Sequence, residues 1–457
     1  MKKYDALILG SGMGGLASAV LLAKQGKKVA ILEKNPMPGG RLTSWEKEGF
    51  NVDLGVHVIS RGAKGPVYRC LEETGVPFDL SFTTVRPISS YKGEIYKFPK
   101  DVAKYVPEED FNAFMRFMGD IRSYDEAKAH EFDHLTVDQL LDQYTANSFV
   151  HQAVSAICNI YTESQAHVAA AGDFINCLNW EAAAHASGYP TGGCVAIPRE
   201  YIKVLNALGG ELFLSTPVEE ILLEGDTAVG VIAGGEEWRA DLIISNLGIR
   251  VTMFDFIGKD KLEDDYIKYL ESLVYTGPGC ILRIALNKVV TDVKMFSTVA
   301  DTPCAEYEEK LLRDEFDPSG VSVFLVSPSN FSPGICDPDK QYITCTTALP
   351  FGVSRKMQES IMDYLFNVVI TMFPEAKDSI IWTDRTYVDE LTELCGKEGT
   401  GLGIAQIVGQ TGKNAPKAET PIKNLYLVGT ETGGKGGVGI ERAVYSAYEL
   451  MDNYVNK

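Results

Sequence analysis

Three glycines near the amino terminus have the spacing of a loop that binds a pyrophosphate group. Gly10, Gly12 and Gly15 form a G-x-G-x-x-G sequence, with Met13 and Gly14 before the third glycine. In such loops the first glycine permits a tight turn, the second lets the backbone approach the phosphates, and the third lets a helix pack closely on a strand. The helix that follows presents unpaired N–H groups and the positive end of its dipole. We therefore predict that these five residues contact a dinucleotide.

An acidic residue, Glu33, ends the next apolar stretch and is followed by Lys34. A carboxylate at this spacing accepts hydrogen bonds from the ribose hydroxyl groups of an adenosine. Charge-assisted bonds of this kind are worth roughly 1.5–3 kcal/mol, or about tenfold to a hundredfold in affinity. The same charge repels a 2′-phosphate and so disfavours NADP. We predict that both residues contact the ligand, which is NAD or FAD.

Two further segments carry groups that suit the reacting end of such a ligand. Residues 35–41 read NPMPGGR, and we predict cofactor contacts from Gly40, Arg41 and the following Leu42. Arg41 either neutralises phosphate or reaches the far part of the cofactor; the alternative is a surface cation. His57 is predicted to lie at the cofactor, as a substrate-positioning or proton-transfer group or as a hydrogen-bonded histidine of a strand.

The carboxyl-terminal region repeats the order strand, acid, glycine loop and helix. An apolar strand at 424–428 precedes an acidic turn, and the loop 433–439 reads GGKGGVG. FAD is too long for one glycine turn, so this second close backbone approach favours FAD over NAD. The helix should point its N-terminus at the flavin N1–C2=O edge, where Lys435 is either a catalytic contributor or a solvated lysine. The predicted cofactor contacts of this region are Gly429, Glu431, Gly437 and Val438.

The elements around these residues predict an α/β fold. Apolar runs at 6–9 and 28–32 predict buried parallel strands on either side of a helix at 16–24. Residues 62–185 read as amphipathic helices with little strand character. Further strands are predicted at 242–245, 279–287, 321–327 and 342–349.

This order predicts a Rossmann-like FAD-binding domain with an inserted α+β substrate domain. The FAD-binding domain would combine residues 1–65, 190–250 and 410–457. The inserted domain would comprise residues 66–189 and 251–409. No second G-x-G-x-x-G follows a central strand, which speaks against a dedicated NAD(P)H domain.

Composition opposes several other classes of function. The formal net charge of −19 over 457 residues disfavours binding to nucleic acid or to anionic membrane surfaces. The nine cysteines include no C-x-x-C and the six histidines no H-E-x-x-H, so no metal site is predicted. No apolar run approaches the roughly 18 residues of a membrane span. We expect a cytoplasmic protein without an integral membrane segment. The sequence is also compatible with an oligomer.

The chain resembles the FAD-dependent phytoene desaturase, carotenoid isomerase and retinol saturase group within the flavin amine oxidase superfamily. The resemblance rests on LILGSGMGGLASAVLLAKQGKKVAILEK with PGGR, on STPVEEILLEGDTAVGV with ADLIISN, and on NLYLVGTETGGKGGVGIERAV. It implies FAD as cofactor and a two-lobed flavin amine oxidase-like fold. Glu33 would bind the ribose, Val218 would reach adenine through its backbone, and Glu431 would approach the ribityl chain or pyrophosphate.

The resemblance implies oxidoreduction at carbon–carbon bonds by hydride exchange with flavin N5. Desaturation, saturation and double-bond isomerisation of an apolar or alicyclic substrate all belong to this chemistry. Amine oxidases carry an aromatic residue in the loop that is here 433–439, and this chain has none there. We therefore expect a small-molecule carbon substrate without a primary amine, and an electron acceptor that the sequence does not identify. An amine or amino-acid oxidase is the alternative, and a non-catalytic binding protein is a third reading.

Overall fold

The structure is a computed structural model that describes residues 2–85, 88–395 and 400–456. These residues form eighteen strands and fourteen α-helices. The strands are β1 (Lys2–Leu9), β2 (Val29–Leu32), β3 (Ser44–Lys47), β4 (Phe50–Asp53), β5 (Phe82–Thr84), β6 (Ile88–Tyr91), β7 (Glu94–Tyr96), β8 (Gly188–Pro190), β9 (Glu211–Phe213), β10 (Val218–Glu224), β11 (Thr227–Ala233), β12 (Glu236–Ser245), β13 (Gly279–Leu286), β14 (Met295–Thr298), β15 (Phe324–Val326), β16 (Gln341–Ala348), β17 (Ile380–Thr386) and β18 (Leu425–Leu427). The helices are α1 (Met13–Lys24), α2 (Pro66–Glu72), α3 (Glu108–Ser123), α4 (Glu126–His130), α5 (Val137–Leu141), α6 (Ser148–Thr162), α7 (Ala171–Ala184), α8 (Ala196–Ala207), α9 (Asp264–Ser272), α10 (Cys304–Leu312), α11 (Pro328–Phe331), α12 (Arg355–Met372), α13 (Val388–Cys395) and α14 (Ile440–Leu450).

The first sheet is built around β1. This strand pairs in parallel with β2 on one side and with β12 on the other. β9 continues the parallel pairing beyond β2, and β18 pairs in parallel with the end of β12. β10, β11 and the start of β12 extend the sheet as an antiparallel meander. The carboxyl ends of five parallel strands therefore share one edge of the sheet.

Both faces of this sheet are covered, which explains the continuous apolar run at the end of β1. Ile8 faces the layer in which α1 packs beside α8 and α14. Leu7 and Leu9 face the opposite layer, together with Met253 and Leu270. Since successive side chains of a strand point to opposite faces, a strand buried on both sides has no polar alternation.

The second sheet has the order β17, β13, β16, β15, β14, β6, β7 and is antiparallel except at the β14–β6 pair. α10 and α12 cover one of its faces. Its β6 and β7, together with β5, which pairs with β8, correct the prediction that 62–185 has little strand character. β6 pairs with β7 across the two-residue turn at Lys92 and Gly93, where both residues have a positive φ, and with the distant β14 on its other side.

The helices α3 to α7 form a separate apolar cluster with β7. Among the helices of the described residues, none combines the length and apolarity that a membrane crossing requires. α1 begins at Met13, earlier than predicted, because Gly14 and Gly15 belong to its first turn. α14 ends at Leu450 and is followed directly by a π-helical segment, Met451–Val455. The predicted division into two domains stays a prediction.

Candidate functional site

The candidate site lies where the carboxyl ends of β1, β12 and β18 meet. The N–H of Asn246 donates to the carbonyl of the last residue of β1 at 2.9 Å. The N–H of Val428 donates to the last residue of β12, also at 2.9 Å. Ligands of open α/β sheets bind at such an edge. The structure therefore brings together the two glycine loops, at 10–15 and 429–439, that lie at opposite ends of the sequence.

The first glycine loop makes a tight turn into α1. Gly10 has a φ of +92°, in the left-handed region that favours glycine. Gly15 packs on the carbonyl of Gly10, where a Cβ atom would collide. α1 begins at Met13, and its N-cap residue Gly12 offers no side chain to the first turn. The first N–H groups of the helix are thus directed out of the helix end, as a phosphate site requires.

Asn246 is a site residue that the sequence reasoning did not identify. A Cβ atom on Gly14 would lie 2.6 Å from Asn246 Oδ1 and 2.7 Å from the nitrogen of Gly429. A Cβ atom on Gly12 would also collide with the Asn246 side chain. The lack of a side chain at Gly12 and Gly14 therefore lets Asn246 and Gly429 pack directly on the first loop. The available signal was the position of Asn246 directly after the apolar strand ADLIIS.

Glu33 is fixed at the glycine turn and is 6% exposed. Its Oε2 accepts hydrogen bonds from the N–H of Ser11 at 2.8 Å and from the Ser11 hydroxyl at 2.7 Å. Its Oε1 accepts from the N–H of Asn35 at 2.9 Å. Three donors hold the carboxylate in one orientation. A carboxylate has about four acceptor sites, so one further donor can be accepted.

Two other predicted contacts lie at the same end of the loop. The N–H of Thr216 donates to the Glu33 carbonyl at 2.8 Å, which brings the start of β10 to this place. Val218 is the first residue of β10 and pairs with Ala233. Lys34 is exposed directly after Glu33. The structure thus groups Glu33, Lys34 and Val218 around one end of the glycine turn.

Arg41 connects the first loop with the carboxyl-terminal one. It lies in the 3-10 turn Gly40–Leu42, in which Gly40 has a φ of +56° and Leu42 is buried in the core. Nη2 of Arg41 donates to the hydroxyl of Thr430 at 2.9 Å, and Nη1 donates to the carbonyl of Gly401. The guanidinium group is therefore held inside the site and is not a free surface cation.

His57 contacts the backbone of that turn. Its Nε2 lies 3.1 Å from the carbonyl oxygen of Arg41, to which the ring N–H donates. Burial lowers the pKa of His57, and the nearby charge of Asp53 opposes this only in part. The main-chain carbonyls of Asp53 and Leu54 accept from the buried Arg283 of the second sheet. A neutral His57 thus fixes Arg41 to a segment that the second sheet holds in place.

The acidic turn after β18 is buried. Glu431 is 1% exposed, and its Oε2 accepts from the N–H of Ile249 at 2.7 Å and from the Tyr275 hydroxyl at 3.3 Å. The N–H of Gly429 donates to the Ser446 hydroxyl of α14 at 2.8 Å. These bonds fix the acidic turn to Ile249 and Tyr275 on one side and to α14 on the other.

The loop 433–439 is held by α14. The N–H groups of Gly434 and Lys435 donate to the Glu449 carboxylate at 3.0 Å and 2.9 Å. The Nζ atom of Lys435 lies 3.7 Å from Glu126 Oε1 and 5.1 Å from the centre of the Tyr445 ring. Its charge is therefore directed at an acid and an aromatic ring. The catalytic role of Lys435 stays a prediction.

The end of this loop leads directly into α14. Gly437 has a φ of +122° and Gly439, the N-cap residue, a φ of +53°, with the half-buried Val438 between them. Gly439 offers no side chain to the first turn of the helix. The backbone at Gly437 and Val438 therefore lies at an open helix N-terminus, where negative charge is stabilised.

Arg61 and Glu441 form a buried ion pair that the sequence reasoning missed. Nε and Nη2 of Arg61 donate to the two carboxylate oxygens at 2.8 Å and 2.9 Å, and Nη2 also donates to the Tyr445 hydroxyl at 3.0 Å. Burial opposes charge on both groups and raises the pKa of Glu441 to about 7. The bidentate hydrogen bonds favour the ion pair, and they raise the pKa of Arg61. Arg61 has an isolated position in the sequence, and only the fold shows its partner.

Glu163 is a second residue that the sequence reasoning missed. It follows α6 with a φ of +46°, and a Cβ atom on Gly401 would lie 2.8 Å from its Oε2. Its side chain is accessible to solvent, yet burial of the carboxyl group raises its pKa to about 7 while Arg41 lowers it. The carbonyl of Gly401 accepts from Arg41, so the Glu163 carboxyl group lies near the Arg41 guanidinium group.

Comparison with known protein families decides the class of the protein. Residues 13–449 match the family of flavin-containing amine oxidoreductases. The chain belongs to this family. It is a flavin-dependent oxidoreductase, and FAD is its cofactor.

Several characterised proteins are similar to this flavoenzyme. All-trans-retinol 13,14-reductase of Danio rerio is 24% identical over 93% of this chain and 82% of its own length. Prolycopene isomerase of Daucus carota is 26% identical over 94% and 76%. Phytoene desaturase of Cereibacter sphaeroides is 28% identical over 98% and 93%. The crystal structure of an oxidoreductase from Methanosarcina mazei has a TM-score of 0.78 at 20% identity, covering 99% of this chain and 100% of that one.

The residues of the site fit FAD. Gly12 and Gly14 let Asn246 and Gly429 pack directly on the first loop, which brings the backbones of the two loops together. The Thr43 hydroxyl beside the Arg41 turn and Nε of Arg442 in the first turn of α14 are buried, and neither has a hydrogen-bond partner among the described residues. Buried polar atoms normally have a partner. A ligand with phosphate and carbonyl oxygens at both loops supplies such partners.

Proposed function

We propose that this flavoenzyme forms, removes or shifts a carbon–carbon double bond in an apolar or alicyclic small molecule. The observation that carries the proposal is the position of the Glu163 carboxyl group beside Gly401, whose carbonyl accepts from Arg41, together with a pKa raised to about 7. Forming or removing a C=C bond moves a proton as well as a hydride. A carboxyl group with this pKa exchanges a proton readily near neutral pH. The reductase, isomerase and desaturase to which the chain is similar support the same class of chemistry.

The proposed cofactor contacts follow the grouping of residues in the fold. Glu33 and the backbone near Val218 would bind the adenosine end, with Lys34 beside them. The loop from Gly10 to Gly15 would bind the pyrophosphate at the start of α1. The turn Gly40–Leu42 and the segment from Gly429 to Glu431 would bind the middle of the molecule. Gly437 and Val438, at the N-terminus of α14, would contact the flavin ring.

FAD supplies a hydride acceptor or donor when it is bound. The side chains of this chain would then do two things. Glu163 would accept the proton that the substrate loses in desaturation, or donate the proton that it gains in saturation. His57, through its bond to the Arg41 carbonyl, would keep Arg41 oriented beside Glu163; we assign it positioning and no proton transfer.

Anaerobic titration of the purified protein tests this function. We expect an apolar polyene, a cyclic enone or its saturated form to change the flavin spectrum, and amines and amino acids to leave it unchanged. Reduction of the flavin by amines alone would contradict the proposal and favour an amine oxidase, to which the family name also belongs. We also propose that the protein is cytoplasmic and that its chain divides into the two domains predicted above. An oligomer is compatible with the proposal, and the electron acceptor is left open.

A further inference from the structure

A cluster outside the proposed FAD contacts carries three side chains of the kind that bind metal ions. His130 at the end of α4, the following Asp133, and Asp173 in the first turn of α7 place one ligand atom each within 4.8 Å of one another. Nδ1 of His130 lies 3.0 Å from Oδ2 of Asp133. Two neighbouring carboxylates repel unless a proton or a cation lies between them. A cation held between these groups would relieve this repulsion.

Buried polar atoms without hydrogen-bond partners also lie at this cluster, and they are evidence independent of its charge. Asp173 is 2% exposed and Gln406 is 1% exposed. Within the described part of the chain, Oδ1 of Asp173 and both amide atoms of Gln406 have no hydrogen-bond partner. A Cβ atom on Gly436 would lie 2.9 Å from Asp173 Oδ1 and 3.3 Å from Gln406 Oε1, so the two oxygens face one point. Leaving such groups unpaired costs free energy that a bound ion would recover.

Glycine backbone packs closely on the side chains of the cluster. A Cβ atom on Gly412 would lie 2.5 Å from Asp133 Oδ2 and 3.5 Å from His130 Nδ1. A Cβ atom on Gly172 would collide with Asp133 Oδ1. Sequence spacing predicts no metal site because these groups come from separate segments of the chain.

Arg442 does not neutralise the cluster by direct contact. It acts on Asp173 through space, but its Nη1 donates to the Ile404 carbonyl at 2.6 Å. Its charge is shared with Glu431 and Glu449, which also face it. Three carboxyl groups, those of Asp173, Glu431 and Glu449, therefore act on the one guanidinium group of Arg442. The excess of acidic groups would suit a dication.

We propose that this cluster binds one divalent metal ion through His130, Asp133, Asp173 and Oε1 of Gln406. One imidazole nitrogen with carboxylate and amide oxygens suits Mn²⁺ or Zn²⁺. Two ligand atoms each about 2.1 Å from an ion lie at most about 4.2 Å apart, so binding requires the side chains to close only slightly. The amide nitrogen of Asn176 lies 3.4 Å from His130 Nε2. With Nδ1 on the ion, Nε2 carries the proton, and the Asn176 amide would turn its oxygen to accept from it.

The ion would connect the helical layer with the loop 433–439. His130 and Asp173 belong to α4 and α7, while Gly436 of that loop lies against Asp173 and Gln406. An ion that binds the folded protein and not the unfolded chain stabilises the fold. We assign it this structural role, which does not depend on the substrate of the enzyme.

Metal analysis of the full-length, FAD-loaded protein tests the proposal. After removal of metals with a chelator, protein incubated with Mn²⁺ or Zn²⁺ and desalted should retain about one ion per chain by mass spectrometry and melt at a higher temperature. Asp173→Asn and His130→Gln should each lower retention to below about a tenth, since both remove a ligand. Flavin absorbance should stay unchanged in these variants, which separates this site from metal held by FAD phosphates.

Asp138→Asn is the matched control. Asp138 pairs with His151 at 2.7 Å, so it also belongs to a histidine–carboxylate pair, but it lies outside the cluster. Its substitution should leave metal retention and the metal-induced rise in melting temperature unchanged. Wild-type protein that retains no ion, or equal retention in Asp173→Asn and the wild type, would overturn the proposal. If Asp173→Asn does not fold, the Mn²⁺ electron paramagnetic resonance spectrum of the wild type decides, because protein-bound and aqueous Mn²⁺ differ.

Discussion

The role of Glu163 can be tested by replacing it with glutamine. The substitution keeps the shape and most hydrogen-bonding capacity of the side chain, and it removes the proton that we propose is exchanged with the substrate. Burial raises the pKa of this carboxyl group to about 7 from an ordinary value of 4.5. A positioned group of this kind contributes about 10²- to 10⁴-fold to the rate, so we expect a loss of this size in the rate of flavin reduction.

The pH dependence follows from the same pKa. With a pKa of about 7, about a tenth of Glu163 is charged one unit below and about nine-tenths one unit above. In desaturation the charged form accepts the proton, so the rate should rise about tenfold between these points. In saturation the protonated form donates, and the rate of flavin oxidation by substrate should fall by the same factor. The direction of the profile therefore identifies the direction of the reaction.

Anaerobic stopped-flow measurement of flavin absorbance gives these rates without an external electron acceptor. Glu308→Gln is the matched control, because burial also raises the pKa of Glu308, which lies on α10. A raised carboxyl pKa means that the folded state disfavours the charged form, so this destabilisation grows as pH rises from the unfolded pKa through the folded pKa. Glu163→Gln should therefore not lower the melting temperature above pH 7. A retained ionisation near neutral pH in Glu163→Gln, or a rate loss below about tenfold, would refute the assignment.

Four further predictions concern the rest of the site. Gly14→Ala should abolish FAD retention, measured by the flavin-to-protein absorbance ratio, because its Cβ would meet Asn246 and Gly429 at 2.6–2.7 Å and push the two loops apart; full retention would show that FAD does not need this close approach of the loops. Glu33→Ala should lower the affinity for FAD by about tenfold to a hundredfold in calorimetry. An unchanged affinity would exclude a contact between Glu33 and the ribose. Glu441→Gln should lower the free energy of unfolding by about 3–5 kcal/mol in urea, since it leaves Arg61 buried and unpaired, whereas a loss within the range of surface substitutions would argue against the ion pair. Lys435→Met should leave the flavin reduction potential unchanged, because the Lys435 ammonium group faces an acid and an aromatic ring; a lower potential would restore its catalytic role.

Local patterns predicted the parts of this site that depend on neighbouring residues. The turn at Gly10, the start of α1 and the position of Glu33 follow from residues close together in the chain, where glycine freedom and apolar runs act directly. The family and the flavin cofactor followed from the same segments and are confirmed. The strands β6 and β7 pair with each other across the turn at Lys92 and Gly93, a local hairpin signal that the helical assignment of 62–185 missed. The pairing of β6 with β14, about two hundred residues away, leaves no such local signal.

The sequence by itself determined the nucleotide-binding turn, the class of fold and the chemistry of the cofactor, because each is encoded in the type and spacing of adjacent residues. Only the tertiary structure decided which distant side chains share an environment. Asn246 fills the space against Gly14, Arg61 meets Glu441, and Glu163 reaches Arg41 beside Gly401. The pKa of Glu163 depends on burial, and burial is a property of packed neighbours from several segments and not of any one stretch of chain.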